Sequence, residues 1–536
     1  MKIKSSWQNC LRAAMVFVSI ILVSIFIGIQ EQYRISGILF WVAILLICYY
    51  IRPKSAIHGI LLADLHKKGR MVICLICFLE ILICTLPMGI SPTWNGESAG
   101  HRNQYEIMAE SILHGHIYMD YDDIDPKLEE MENPYDPAAR QEQGVICHDD
   151  HAYYKGRYYM YFGIVPVFIL FLPYRIMTGN ALVTYRATQI FVALAIIGFF
   201  MLFYVLSKVL FSKITAVMYT FLSAAFSAAS IWYSIGSPAL YSTAITSGIC
   251  MEIWSLYFFS RAVWIEDKEN RQILCSFLGA GFGALVFGCR PPIGLANLLV
   301  IPLLAIYLRR KSMSMKLLGK LIVAATPYIV IGILLALYNY KRFGNPFEFG
   351  QSYQLTVADQ HNYSNLGERF SWQNIVSGIM ENFISFHPLK RDFPFISYGG
   401  ALVNFPIFML VVCGLTQESV CRRIKVIYVA PFLVTLAVVP IVITSIDIMW
   451  SPYIFERYRM DIYFQMGILS FIVVSLWYMD VSSKHQRSFS SIIAYLSLAT
   501  MMKCFLLWAV PYDGNPTRYY PDLLEKIEKV VLFWKG

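Results

Sequence analysis

Read as a string of apolar and polar positions, the chain alternates long apolar runs with polar connections. Runs near 11–29, 35–51, 71–90, 188–207, 214–234, 240–263, 274–289, 293–308, 318–340, 400–415, 426–445, 460–479 and 489–510 reach or approach the roughly 20 residues that cross a bilayer. The pattern predicts an all-α polytopic membrane protein with about thirteen transmembrane helices. One more run, 159–177, carries Pro166 and Pro173. Whether it crosses decides the direction of every later span.

Charge placement decides it. If 159–177 lies on the surface, the basic connections all fall on one side: Lys54, Lys67 and Lys68; Lys208 and Lys213; Lys268 and Arg271; Arg309, Arg310 and Lys311; Arg422, Arg423 and Lys425; Lys484 and Arg487. That is the asymmetry which orients membrane proteins with basic loops in the cytoplasm. If the run crosses, the later five clusters change sides. The segment is therefore expected to be an interfacial helix. A multi-pass cell-membrane protein follows, with the N-terminus in the cytoplasm. The C-terminus and the long polar segments 91–187, 341–399, 446–459 and 511–536 then lie outside.

Composition agrees, since 57% of residues are hydrophobic and 15% charged, against about 25% charged in soluble domains. The net charge of +9 resides in the short connections, which gives no face for nucleic acid. Eleven of the twelve cysteines stand outside the long polar loops and Cys147 is the exception, so there is no disulfide framework. The cytoplasmic connections hold no phosphate-binding glycine motif, and chemistry is expected on the outer side.

The first outer segment is the richest in reactive side chains. Its stretch 103–118 reads as a short amphipathic helix stopped at Gly115. Carboxylates surround it, and they suit either proton abstraction from an acceptor or an optional divalent cation. Glu97 stands directly after a span, while Asp149 and Asp150 sit in His148-Asp149-Asp150-His151 just before the surface run. Most of 122–132 reads as a solvated face. Arg290, in Gly288-Cys289-Arg290-Pro291-Pro292, and Arg457, in Glu456-Arg457-Tyr458-Arg459, are cations at outer span ends. A guanidinium there either snorkels to lipid headgroups or meets an anion, and it can bond two phosphate oxygens at once. Glu80 lies inside a span, where a buried partner or a proton accounts for it.

An acidic turn after a span, then Ala-x-Ser-Ile-Leu-His-Gly-His-Ile-Tyr (109–118), Gly-Arg-Tyr-Tyr (156–159), a Pro-containing surface helix and Arg186-Ala187 make up the opening. This opening resembles that of the GT-C superfamily of membrane glycosyltransferases: protein O-mannosyltransferases, bacterial aminoarabinose transferases and RgtA-like enzymes. The resemblance covers 71–264, with 1–70 an added hairpin and basic loop, 265–510 the remaining spans and 511–536 an outer tail. It implies a GT-C-like bundle and an inverting transferase that takes sugar from a polyprenyl-phosphate donor. By this likeness Glu97 is the base, Asp149 or Asp150 positions the acceptor or a cation, and Arg290, Arg457, Lys155 and Arg157 meet the donor phosphate. The sequence departs from the family in having His101-Arg102 where relatives carry an acidic pair, and no Lys before a Pro-Pro step. Two alternatives stay open: a transporter or flippase of a lipid-linked sugar, and a GT-C-shaped binding or assembly protein without activity.

Overall fold

A computed structural model of the protein describes residues 31–90, 94, 103–309, 311, 314–362, 371–386, 389–450, 455–511 and 515–535. The expected run 11–29 and Glu97 lie outside the described residues. Helices dominate: α1 (Glu31–Tyr50), α2 (Lys67–Thr85), α3 (Gln104–Leu113), α4 (Leu172–Thr178), α5 (Thr184–Leu210), α6 (Ala216–Gly236), α7 (Leu240–Trp264) and α8 (Glu269–Phe287). There follow α9 (Pro291–Leu308), α10 (Met315–Phe343), α11 (Trp372–Ile384), α12 (Pro406–Leu415), α13 (Ala430–Trp450), α14 (Met460–Asp480), α15 (Gln486–Trp508) and α16 (Pro521–Val531). Among the described residues, eight of these helices are long and apolar enough to cross a membrane.

Four of the expected runs are not among these eight, namely 35–51, 240–263, 274–289 and 400–415, while 159–177 is expected on the surface. The run 400–415 is broken at Phe405-Pro406, because proline lacks the N–H that would continue the ladder; α12 alone is ten residues, too short to cross. The runs 240–263 and 274–289 do form the helices α7 and α8. Glu252 with many Ser and Thr, and the polar first turn of α8, dilute their hydropathy. The run 159–177 becomes a π-helical turn, Val167–Phe171, followed by α4. Twelve residues at 1.5 Å rise cannot cross about 30 Å of hydrocarbon.

α6 and α14 form the centre of the bundle: 83% of each one's most apolar stretch is buried, against 11% of α10 at the rim. Helix starts are fixed locally, with Thr215 accepting from Met218 N at 3.3 Å and Ser314 from Leu317 N at 3.2 Å. Glu80 of α2 is buried and accepts a hydrogen bond from Ser227 of α6.

The connections sort to two ends. Leu62 N donates to Ile214 O at 3.0 Å, His58 bonds Ser490 at 2.8 Å, and Arg309 stacks on Tyr428 at 4.5 Å; all belong to the basic connections. At the opposite end α3 is capped by Asn103 and stops before Gly115 in the left-handed region (φ 82°). Its neighbours there include a small sheet that the apolar pattern does not announce. β1 (His151–Tyr154) pairs antiparallel with β2 (Arg157–Tyr159) on one side and with β3 (Gln354–Leu355) on the other. The sheet ties the first long polar segment to the second. Arg342, at the end of α10, adds a bond from Nη1 to Met160 O at 2.8 Å.

Candidate active site

The non-basic end gathers charged side chains from four separate stretches. Arg290 sits in the turn between α8 and α9. The first polar segment presses against that turn, with Val165 N donating to Gly288 O at 2.8 Å. A Cβ at Gly163 would run into the Gly288 and Cys289 carbonyls, so only glycine permits this approach. The Arg290 guanidinium is held by Asp461 in the first turn of α14: Nε reaches Oδ1 and Oδ2 at 2.8 Å each, and Nη2 reaches Oδ2 at 2.6 Å. Asp461 is fully buried and Arg290 nearly so. Asp447 of α13 stands within electrostatic reach of both.

Arg457 is placed differently. It lies on the 3-10 turn Glu456–Arg459, its Cζ 4.0 Å from the Tyr241 ring centre, 4.3 Å from Phe455 and 5.3 Å from Tyr458. Its Nε is buried with no hydrogen-bond acceptor among the described residues. It shows no ion pair with a carboxylate there, and it lies within electrostatic reach of Arg290. Arg459, two residues on, instead pairs with Glu456 and donates to Asn382 Oδ1 at 3.2 Å, so its charge holds the fold together.

Asp150 reaches the same cluster. Its backbone is left-handed (φ 58°), a conformation Asp tolerates better than most residues, and its N–H donates to Leu355 O at 2.7 Å. Its carboxylate accepts from Tyr241 Oη and, at 2.9 Å, from Gln354 Nε2. Gln104 Nε2 bonds its carbonyl at 2.8 Å. Tyr161 donates to Gln351 Oε1 at 2.5 Å, and burial pushes its phenol pKa up; Arg290, Arg457 and Asp150 are the charged groups around it. Tyr241 thus touches Asp150 with its hydroxyl and Arg457 with its ring.

The other residues singled out from sequence lie elsewhere. Asp149 is exposed, and its carbonyl accepts from His151 Nδ1 at 2.7 Å. That bond puts the proton on Nδ1 and leaves Nε2 to accept from Tyr121 Oη at 2.8 Å; burial pushes the His151 pKa down to about 4, so the ring is neutral. His148 Nε2 bonds Asp123 at 3.1 Å, and its ring lies 5.5 Å from that of His151. The two carboxylates part, Asp149 to solvent and Asp150 to Tyr241 and Gln354, so the His-Asp-Asp-His stretch does not converge on one point. Among the described residues no group of three or more His, Cys, Asp and Glu is arranged to hold a metal. Lys155 is exposed at the β1–β2 turn. Arg157 stacks on Tyr118 at 4.2 Å and lines a separate open cavity of about 650 Å³ with His114, His116 and Asp120. Neither cation is brought to Arg290.

Sequence reasoning missed Asp461, Asp447, Tyr241 and Gln354. An acid in the first turn of an apolar run was a legible signal for Asp461, by the rule that had singled out Glu80. Tyr241 and Gln354 carry no local signal.

The long apolar helices and the two-ended sorting of loops make this a multi-helix membrane protein. No family model and no curated protein matches the chain. Among solved structures it is similar to the oligosaccharyltransferase of Archaeoglobus fulgidus in its apo form. The identity is 12% and the TM-score 0.40, over 84% of this chain and 58% of that one, so the chain spans less than two thirds of that protein.

Proposed function

We propose that the chain is a GT-C type membrane glycosyltransferase. It moves a sugar from a polyprenyl-phosphate donor to an acceptor at the non-basic end, which faces away from the cytoplasm. The observation that carries this reading is Arg457: a half-buried guanidinium in an aromatic cage, with a buried and unused Nε, beside a second arginine and a carboxylate. A largely desolvated cation of this kind gains most from an anion that arrives with the substrate. The sequence pattern of the first polar segment supports the same reading.

In this mechanism Arg457 and Arg290 grip the donor phosphate. Asp461 occupies Nε and one edge of Arg290 and leaves Nη1 to point at the ligand. The acceptor oxygen attacks the anomeric carbon from the face opposite the phosphate, which inverts that centre. The carbon–oxygen bond to phosphate breaks, and polyprenyl phosphate departs with the electron pair. The acceptor proton passes to Glu97, while Asp150, fixed by Tyr241 and Gln354, orients the acceptor hydroxyl through its remaining lone pairs. Fixed cations at the departing phosphate contribute where charge builds up.

The test is binding of polyprenyl phosphate, without sugar, to the purified chain in nanodiscs, followed by native mass spectrometry. Saturable binding that Arg457→Gln weakens at least tenfold is the expected result. No binding by the wild type sinks the donor reading.

A further inference from the structure

The middle of the bundle holds a charge that the donor site does not use. Glu252 lies half-way along the 25-residue α7, fully buried, and neither carboxylate oxygen has a hydrogen-bond partner among the described residues. An isolated carboxylate at membrane depth is too costly to stand alone. The helices packed on α7 are α5, α6, α8, α9 and α14. Their ionisable acids and bases, namely Arg186, Lys208, Glu269, Arg271, Asp461 and Asp480, all stand in first or last turns. No protein cation from these helices reaches mid-depth, so the counter-charge is a proton or a mobile ion.

Oxygens converge beside it. Ser255, one turn along α7, donates to Gly279 O at 2.8 Å, which sets α7 and α8 in antiparallel register with Glu252 opposite Gly281 and Gly283. A Cβ at Gly283 would lie 2.9 Å from Ser255 Oγ and nearer still to Asn297 Oδ1 and Tyr328 Oη. Three side-chain oxygens therefore surround one point on bare α8 backbone. Tyr328 donates to Asn297 Oδ1, Asn297 Nδ2 donates to Gly283 O at 3.1 Å, and Tyr328 lies within electrostatic reach of Glu252. The hydroxyl and amide hydrogens are spent within this cluster. What remains is lone pairs, which a cation can take as ligands together; a neutral carboxyl group has one hydrogen to give and would leave most of them unused.

We infer that Glu252, with Ser255, Asn297 and Tyr328, forms an intramembrane site for a small monovalent cation of the Na⁺ class. The donor set is all oxygen, which suits hard cations. One carboxylate and one univalent ion sum to zero, whereas a divalent ion leaves net charge in the hydrocarbon. The site would tie α7 to α8, α9 and α10, and the α8–α9 turn carries Arg290. It stands apart from the donor reading and survives that reading's failure.

The test is thermal unfolding of the purified full chain in detergent, at fixed pH and ionic strength, in NaCl against choline chloride. The wild-type midpoint is expected to rise by a few degrees to a plateau with Na⁺ and to stay flat in choline. Glu252→Gln keeps the shape and removes the charge, and is expected to abolish the Na⁺ response. Equal wild-type midpoints in the two salts would overturn the site. So would a Na⁺ response that survives in Glu252→Gln. If Glu252→Gln does not fold, radioactive sodium binding to the wild type decides. A single ion per chain, displaced by unlabelled Na⁺ and not by choline, is expected, and no bound label overturns the site.

Discussion

Arg290 and Arg457 bring the same charge to the same cluster, but their surroundings give them different work. Arg290 is already neutralised by Asp461, whose two oxygens take Nε and Nη2. Asp461→Asn would leave a nearly buried guanidinium without its partner. Removing one member of a buried pair costs about 3–5 kcal/mol, so the variant is expected to unfold at a clearly lower temperature in detergent. Arg457 has aromatic rings where Arg290 has a carboxylate. Arg457→Gln is therefore expected to leave stability nearly unchanged while donor-phosphate binding falls tenfold or more. Arg457→Lys should restore little of it, because an ammonium cannot stack flat on Tyr241 and bond two oxygens together. A lysine variant that binds like the wild type would reduce Arg457 to a simple point charge. The bridging role of Tyr241 separates in the same way: Tyr241→Phe keeps the ring under Arg457 and releases Asp150. Transfer is expected to slow with donor affinity intact, and a matching loss of donor affinity would show that the hydroxyl serves the phosphate side.

At the scale of elements, the helices were legible because a bilayer demands long apolar runs, and nearly every expected run within the described residues became a helix. The exception, 400–415, held its own warning in Pro406. The sheet was not legible. Its strands run four, three and two residues, too short for a period-two pattern, and β3 joins β1 from about two hundred positions away. That sheet decides the site, since the bond from Asp150 N to Leu355 O turns one acid of the Asp149-Asp150 pair inward and leaves the other in solvent. The same strand buries His151, whose pKa falls from 6.5 to about 4. The unfolded chain takes up that proton near 6.5 and the folded chain resists until about 4. The stability is complete above pH 6.5 and drains as pH falls through that window. Thermal unfolding followed from pH 7 to pH 4 should show this fall, and His151→Gln should flatten it; an equal slope in both proteins would place the titration on another group.

Over the whole molecule, the cluster gains meaning from which compartment it faces, and that rests on where the lysines and arginines fall. Connections carrying Arg309, Lys311, Arg422 and Arg423 lie at one end, and Asp150, Arg290 and Arg457 at the other. Basic connections stay in the cytoplasm because translocating them is costly, so the cluster should open outward, where a polyprenyl-linked sugar would be consumed after its lipid has been turned over. Two exposed positions test this, Lys311 at the basic end and Asn345 just beyond α10. Each is replaced by cysteine in a Cys147→Ser background, and intact cells are treated with a membrane-impermeant maleimide. Asn345→Cys should label at once and Lys311→Cys only after permeabilisation. The reverse pattern would turn the cluster to the cytoplasm, where nucleotide-activated sugars are available, and the polyprenyl-phosphate donor would lose its topological reason.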